Sequence, residues 1–157
     1  QIKFFIPDNP VPVTMQTFGI LLVGGLYGPR LTMLSIFSYI IMGIIGVPVF
    51  QGHSGGIDYF FGVTGGYLIG FIFASVVISV LSNTGLKKGL SIWAMIIGNI
   101  FIYIPALIWL SIYDFGWPEN GKLFSQAVYP FLIGDFIKLI LASLSINILW
   151  KLSKKNN

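Results

Sequence analysis

The sequence predicts an all-α integral membrane protein, and three observations carry that prediction. The 157 residues are 55% hydrophobic and 9% charged, with a mean hydropathy of +0.88, whereas an ordinary soluble domain is about 45–50% apolar and about 25% charged. The apolar residues fall in runs close to the ~20 residues a helix needs to cross a hydrocarbon core ~30 Å thick. Glycine, proline and charged residues punctuate those runs, and no polar stretch is long enough to fold separately in water. The chain therefore reads as a single transmembrane domain over residues 1–157.

Five spans follow in order. The first, 13–27, is short and polar, with Thr14, Gln16, Thr17 and three glycines. It follows Pro10-Val11-Pro12, whose prolines oppose helix, so it tilts or lines a polar interior. The second covers 31–49 and the third 62–81. The third carries Gly66, Gly70 and Ala74 at four-residue spacing, a small-residue stripe that lets helices approach and reads as internal packing. The fourth, 90–112, holds a buried amide, Asn99, whose partner is either a neighbouring helix or a ligand. The fifth is 128–150. Trp93, Trp109, Tyr113, Trp117 and Trp150 fall mostly near span ends, where an aromatic belt is the default explanation.

Alternate loops face opposite sides of the membrane. One side collects Lys3, Asp8, Asp58, Asp114, Glu119 and Lys122, two positive and four negative charges; the other collects Arg30, Lys87, Lys88, Lys151, Lys154 and Lys155, all positive. The positive-inside rule makes the second side cytoplasmic, placing the N-terminus outside and the C-terminus inside. The high pI thus reports topology and not a nucleic-acid partner.

Several chemistries are excluded. The chain has no cysteine and one histidine, His53, with no nucleophile motif near it, so neither a metal site nor Ser/His/Asp catalysis is expected. No phosphate-cradling Gly-x-x-x-x-Gly-Lys-Ser/Thr run exists, so energy must come from a partner or a gradient. The expectation is a binding or transport protein with no enzyme activity and no cofactor. The segment Gln1–Pro10 lacks the cleavage site and the long apolar stretch of a signal peptide.

The most informative feature is Asp135 with Lys138, two charges deep in the last apolar run. Three residues on a helix correspond to about 300° of rotation and roughly 4.5 Å of rise, so the side chains are neighbours on one face. A charge at membrane depth costs several kcal/mol and normally faces a protein interior or a wet cavity. A buried ion pair contributes little stability relative to apolar residues, which favours function over a structural lock. Counted from the outer end of the span at 1.5 Å per residue, Asp135 lies about 10 Å and Lys138 about 15 Å deep. A pocket there opens outward beneath the loops 50–61 and 113–127. The glycine-rich stretch from Gly46 to Gly70 either folds over its mouth or merely connects. Tyr67, beside a glycine pair, is an aromatic ligand candidate.

Five segments in register, Pro10-Val-Pro-Val-Thr-Met-Gln-Thr-Phe-Gly19, Gly28-Pro-Arg30, Gly46-Val-Pro-Val-Phe50, Thr64-Gly-Gly-Tyr-Leu-Ile-Gly-Phe71 and Gly134-Asp-Phe-Ile-Lys138, resemble BioY, the biotin-specific S component (substrate-binding subunit) of energy-coupling factor (ECF) transporters. The resemblance implies a six-helix bundle in the cell membrane that binds biotin from outside. It also implies association with a transmembrane coupling protein and two ATPase subunits. Family members have a further helix before the Pro-Val-Pro segment, so five spans of an expected six are visible here, and docking residues on that helix cannot be assigned. The family's acidic and basic ligand residues carry over onto Asp135 and Lys138.

Biotin offers a ureido group with two N–H donors and one carbonyl, an aliphatic carboxylate and an apolar fused ring. On this reading Asp135 accepts from a ureido N–H, while Lys138 contacts a ligand oxygen or holds Asp135 ionised. Tyr67 and Phe50 pack the ring, and Gly66, Thr64, Gln51 and Asn99 complete the expected set. Which end of biotin meets the pair is open. Two other classes fit the same pair: a proton-coupled carrier cycling Asp135, and a non-transporting membrane assembly subunit.

Overall fold

A computed structural model describes residues 2–83 and 91–155. Lys87, Lys88 and Leu90 lie outside the described residues, as do the side chains of Trp150, Lys151, Lys154 and Lys155. The chain runs β1 (Lys3–Phe4), β2 (Val13–Thr14), α1 (Gln16–Leu26), α2 (Pro29–Ile44), α3 (Ile57–Phe60), α4 (Gly65–Asn83), α5 (Ser91–Ile112), α6 (Leu123–Ala127) and α7 (Tyr129–Lys155).

Among the described residues, three stretches are long and apolar enough to cross a membrane, Gly65–Ser82, Ile92–Ile112 and Leu123–Leu149, while α1 and α2 are shorter apolar helices. The first two of the five expected spans fall on these shorter helices. The 11 residues of α1 and 16 of α2 extend only about 16 and 24 Å at 1.5 Å per residue. Residues 13–14 are not helical because the prolines at 10 and 12 hold the chain extended, and it pairs antiparallel with β1, Lys3 opposite Thr14 and Phe4 opposite Val13. Pro29 starts α2 at its first turn, with Gly28 extended before it. The helix stops at Ile44 because Gly46 turns at φ +100°.

The helices bury polar residues and expose apolar ones, as a bilayer demands. On α7, Phe131, Asp135, Lys138, Leu139, Ala142 and Ile146 form the buried face, whereas Ile133, Phe136, Ile137, Leu141 and Leu144 are exposed. Against α4, α5 approaches closely through Gly66 and Gly70. A Cβ on Gly66 would lie 2.5 Å from Trp109 Cβ and 2.7 Å from Ala106 Cα. Ala74 is fully buried, and its carbonyl lies 3.1 Å from where a Cβ on Gly98 would sit. The stripe is internal packing. Trp109, expected in an aromatic belt, donates its indole N–H to the Gly62 carbonyl at 3.1 Å and packs over this seam.

Two ends are distinguishable. At one, the Ser79 hydroxyl donates to the Tyr27 carbonyl at 2.8 Å, tying the α1–α2 turn to α4 beside Arg30. At the other, Asn9 donates its side-chain amide to the Gln126 carbonyl at 3.0 Å, joining the N-terminal hairpin to α6. Glu119, Lys122 and Gln126 form an exposed cluster there, and hydrogen bonds from Lys122 and Gln126 hold the Glu119 carboxyl below its usual range.

The loop after α2 is folded onto the bundle. Phe50 is fully buried, stacked on Tyr59 at 5.4 Å and edge-on to Tyr39 at 5.6 Å. Its ring sits directly over Gly43, and the Gly56 N–H donates to the Gly43 carbonyl at 2.7 Å. Any side chain at 43 collides with that ring. Gly43→Ala is therefore expected to cost about 1–3 kcal/mol through overpacking and to release the loop 46–56, read as faster limited proteolysis there in detergent.

Candidate functional site

A cavity forms where the N-terminal hairpin, the loop before α4 and helices α4, α5 and α7 meet. The extended Pro-Val-Pro-Val-Thr segment supplies Val11 to Thr14, α1 supplies Gln16 and Thr17, and the loop supplies Gln51, Tyr59 and Thr64. The bundle contributes Tyr67, Leu68 and Phe71 from α4, Ile102 and Tyr103 from α5, and Phe131, Asp135 and Lys138 from α7. The enclosed volume is about 60 Å³, well below the ~300 Å³ at which small-molecule pockets begin. A bicyclic ligand enters only if the covering segments shift.

The polar end is built around Asp135 and Lys138, each 5% exposed. Lys138 Nζ lies 2.7 Å from Asp135 Oδ1 and donates to the Thr14 carbonyl at 3.1 Å. The second carboxylate oxygen, Oδ2, accepts from the Asn99 amide at 3.0 Å and from the Tyr103 hydroxyl at 2.5 Å. Asn99 and Tyr103 are four residues apart on α5 and so share a face. Among the described residues, every partner of the carboxylate is a donor, which is what a buried carboxylate requires.

At the opposite wall Tyr59 donates to Gln51 at 3.1 Å, and burial pushes its phenol up, partly offset by a hydrogen bond with Thr64. Tyr67 donates to the Ala127 carbonyl at 2.7 Å, and its ring stands edge-on to Tyr103 at 6.3 Å and 81°.

Of the residues expected in the site, Asp135, Lys138, Tyr67, Thr64 and Gln51 line the cavity together. Three do not. Phe50 is turned away, held between Tyr39 and Tyr59 over Gly43. Gly66 faces the α5 backbone, where its missing Cβ permits helix contact. Asn99 stands behind Asp135 and reaches the cavity only through it; its carbonyl Oδ1 has no partner among the described residues. The sequence reading missed Tyr103 and the hairpin backbone at Thr14. Tyr103 was detectable as the residue one helical turn beyond Asn99, on the same face.

Comparison with known proteins identifies the family. The BioY family profile matches residues 1–155. A protein of Pyrococcus horikoshii described as a probable biotin transporter BioY is 38% identical over 131 residues, covering 83% of this chain and 75% of its own. The biotin transporter BioY of Thermotoga maritima is 34% identical over 139 residues, covering 88% of this chain and 80% of its own. A crystal structure at 2.1 Å of the S component for biotin from an ECF-type ABC transporter superposes with a TM-score of 0.81 at 32% identity, over 95% of this chain and 80% of that one. With apolar helices around a charged, buried cavity and a profile match from end to end, this chain is a multi-pass membrane protein and belongs to the BioY family.

Proposed function

We propose that this protein is the membrane-embedded, substrate-specific subunit of an ECF-type transporter and that it binds biotin for uptake. The supporting observation is the set of hydrogen-bonding groups left open on the buried pair. A carboxylate has about four acceptor positions and an ammonium three donors. Three acceptor positions of Asp135 and two N–H groups of Lys138 are engaged. Among the described residues nothing takes the last acceptor on Oδ1 or the last, neighbouring donor on Lys138.

One acceptor beside one donor matches one N–H and the carbonyl of a ureido edge. It does not match the ligand carboxylate, which would need two donors and would bring a second negative charge against Asp135. On this reading the ureido ring meets the pair, the apolar fused ring lies against Leu68, Phe71, Ile102 and Phe131, and the aliphatic acid points toward Gln51, Tyr59 and Thr64. The acidic Asp8, Asp58, Asp114 and Glu119 lie toward the cavity end and Arg30 at the other, which supports a pocket facing outside and a cytoplasmic C-terminus. Without a nucleotide motif of its own, the subunit depends on a transmembrane coupling protein and two ATPase subunits for energy and catalyses no reaction.

Biotin at 100-fold above its dissociation constant is expected to stabilise the purified protein by about 2.7 kcal/mol, measured as a rise in unfolding temperature in detergent. No shift at saturating biotin overturns the assignment. Counterflow of labelled biotin driven by a pH gradient, with no ATPase present, would replace the ECF reading with a proton-coupled carrier.

A further inference from the structure

We infer that Tyr103 is the positioning residue that sets the site's preference for a ureido group, an inference that rests on the biotin reading above. The hydroxyl of Tyr103 donates to Asp135 Oδ2, and the Asn99 amide donates to the same oxygen from behind the cavity. Together they fill both acceptor positions of Oδ2. Lys138 takes one position of Oδ1. Tyr103 is the member of this set that lines the cavity from α5, so its hydroxyl alone stands between Oδ2 and a ligand. The neighbouring Tyr67 cannot substitute, because its hydroxyl is engaged by the Ala127 carbonyl at 2.7 Å.

Removing the Tyr103 hydroxyl changes the count. Oδ2 regains an acceptor position facing the cavity, and the pair then presents two acceptors with one donor. That set suits a ligand edge rich in donors and fits a carbonyl less well. The carboxylate also loses one of the three contacts that fix its plane, so the remaining Oδ1 position and the Lys138 N–H no longer sit at the spacing of one N–H and one C=O.

The probe is 2-iminobiotin, in which a C=N–H group replaces the ureido carbonyl and, once protonated, becomes a guanidinium with donors only. The full chain, purified in detergent, is titrated with biotin and with 2-iminobiotin for wild type, Tyr103→Phe and Tyr39→Phe. The last removes a hydroxyl that accepts from Gln16 at 2.6 Å and leaves the pair untouched. Tyr103→Phe is expected to weaken biotin roughly tenfold or more, the range for a hydrogen bond to a charged group. It should weaken 2-iminobiotin less, narrowing the affinity ratio by about tenfold, while Tyr39→Phe keeps the wild-type ratio. An unchanged ratio in Tyr103→Phe overturns the inference, and so does equal narrowing in Tyr39→Phe. Wild type that binds no biotin overturns this inference together with the biotin assignment; wild type that binds biotin, with an unchanged ratio in Tyr103→Phe, overturns this inference alone. Should the phenylalanine variant not fold, Tyr103→His, whose shorter ring also withdraws the donor from Oδ2, is the second test: a narrowed ratio supports the assignment, and a wild-type ratio overturns it.

Discussion

Asp135→Asn is expected to lower biotin affinity by about 100-fold or more and to destabilise the protein at the same time. The asparagine keeps the shape but removes the charge that balances Lys138, which is 5% exposed and, among the described residues, has the Thr14 carbonyl as its one other partner. Leaving a buried charge unpaired costs about 3–5 kcal/mol. The new amide also turns its donors either toward the Tyr103 hydroxyl and the Asn99 amide, which already donate, or toward the Lys138 ammonium. The two effects separate in a double variant. Asp135→Leu with Lys138→Met replaces the pair by apolar groups of similar size, and such exchanges are often neutral or stabilising. Its unfolding temperature should return close to wild type or exceed it, while biotin binding stays lost. Isothermal titration and thermal unfolding of the three proteins in one detergent decide the matter. Recovery of binding in the double variant would remove the pair from the site.

Gly70→Ala is the second large effect. A Cβ there would sit 2.8 Å from Ile102 Cα, with the Ile102 carbonyl closer still. Both are backbone, so neither can rotate away and the helices must separate. Overpacking of this kind costs about 1–3 kcal/mol, and more where backbone has to move. The cost reaches the cavity, because α4 contributes Tyr67, Leu68 and Phe71 and α5 contributes Ile102 and Tyr103. Lower thermal stability and weaker biotin binding should therefore appear together. Gly25→Ala is the control: its added Cβ meets the tip of Ile146, a methyl that can swing aside. The change also gains helix propensity, up to about 1 kcal/mol. Near-wild-type stability is expected, and equal damage in the two variants would show that helix separation is not the cause.

The pair was legible from sequence because a membrane makes charge conspicuous: two ionisable residues at i and i+3 in a run of aliphatics have few places to go. The glycine stripe was legible for a similar reason, since spacing alone places Gly66 and Gly70 on one face. What spacing does not report is which neighbour that face meets, so Gly66 also fitted a ligand set until the α5 backbone was seen against it. Phe50 shows the same ambiguity in an aromatic, for a ring after a Gly-x-Pro turn packs equally well on a ligand or into a core. Tyr103 was hidden among isoleucines, where hydropathy registers a span and not a hydroxyl. The hairpin was missed because two-residue strands carry almost no periodic signal. Its consequence, a backbone carbonyl at Thr14 as a partner for Lys138, is invisible to any reading of side chains.

That last contact bears on when the site comes into being. Lys138 and Thr14 are 124 residues apart, and Asn9 and Gln126 are 117 apart, so the hairpin, made well before α7, waits for that helix before the Thr14 carbonyl finds this partner. Until α7 is inserted, the hairpin has no cation to hold and the cavity has no polar end. The polar end of the cavity is thus complete only once α7 is in place, and a subunit truncated before Asp135 is expected to show no biotin binding.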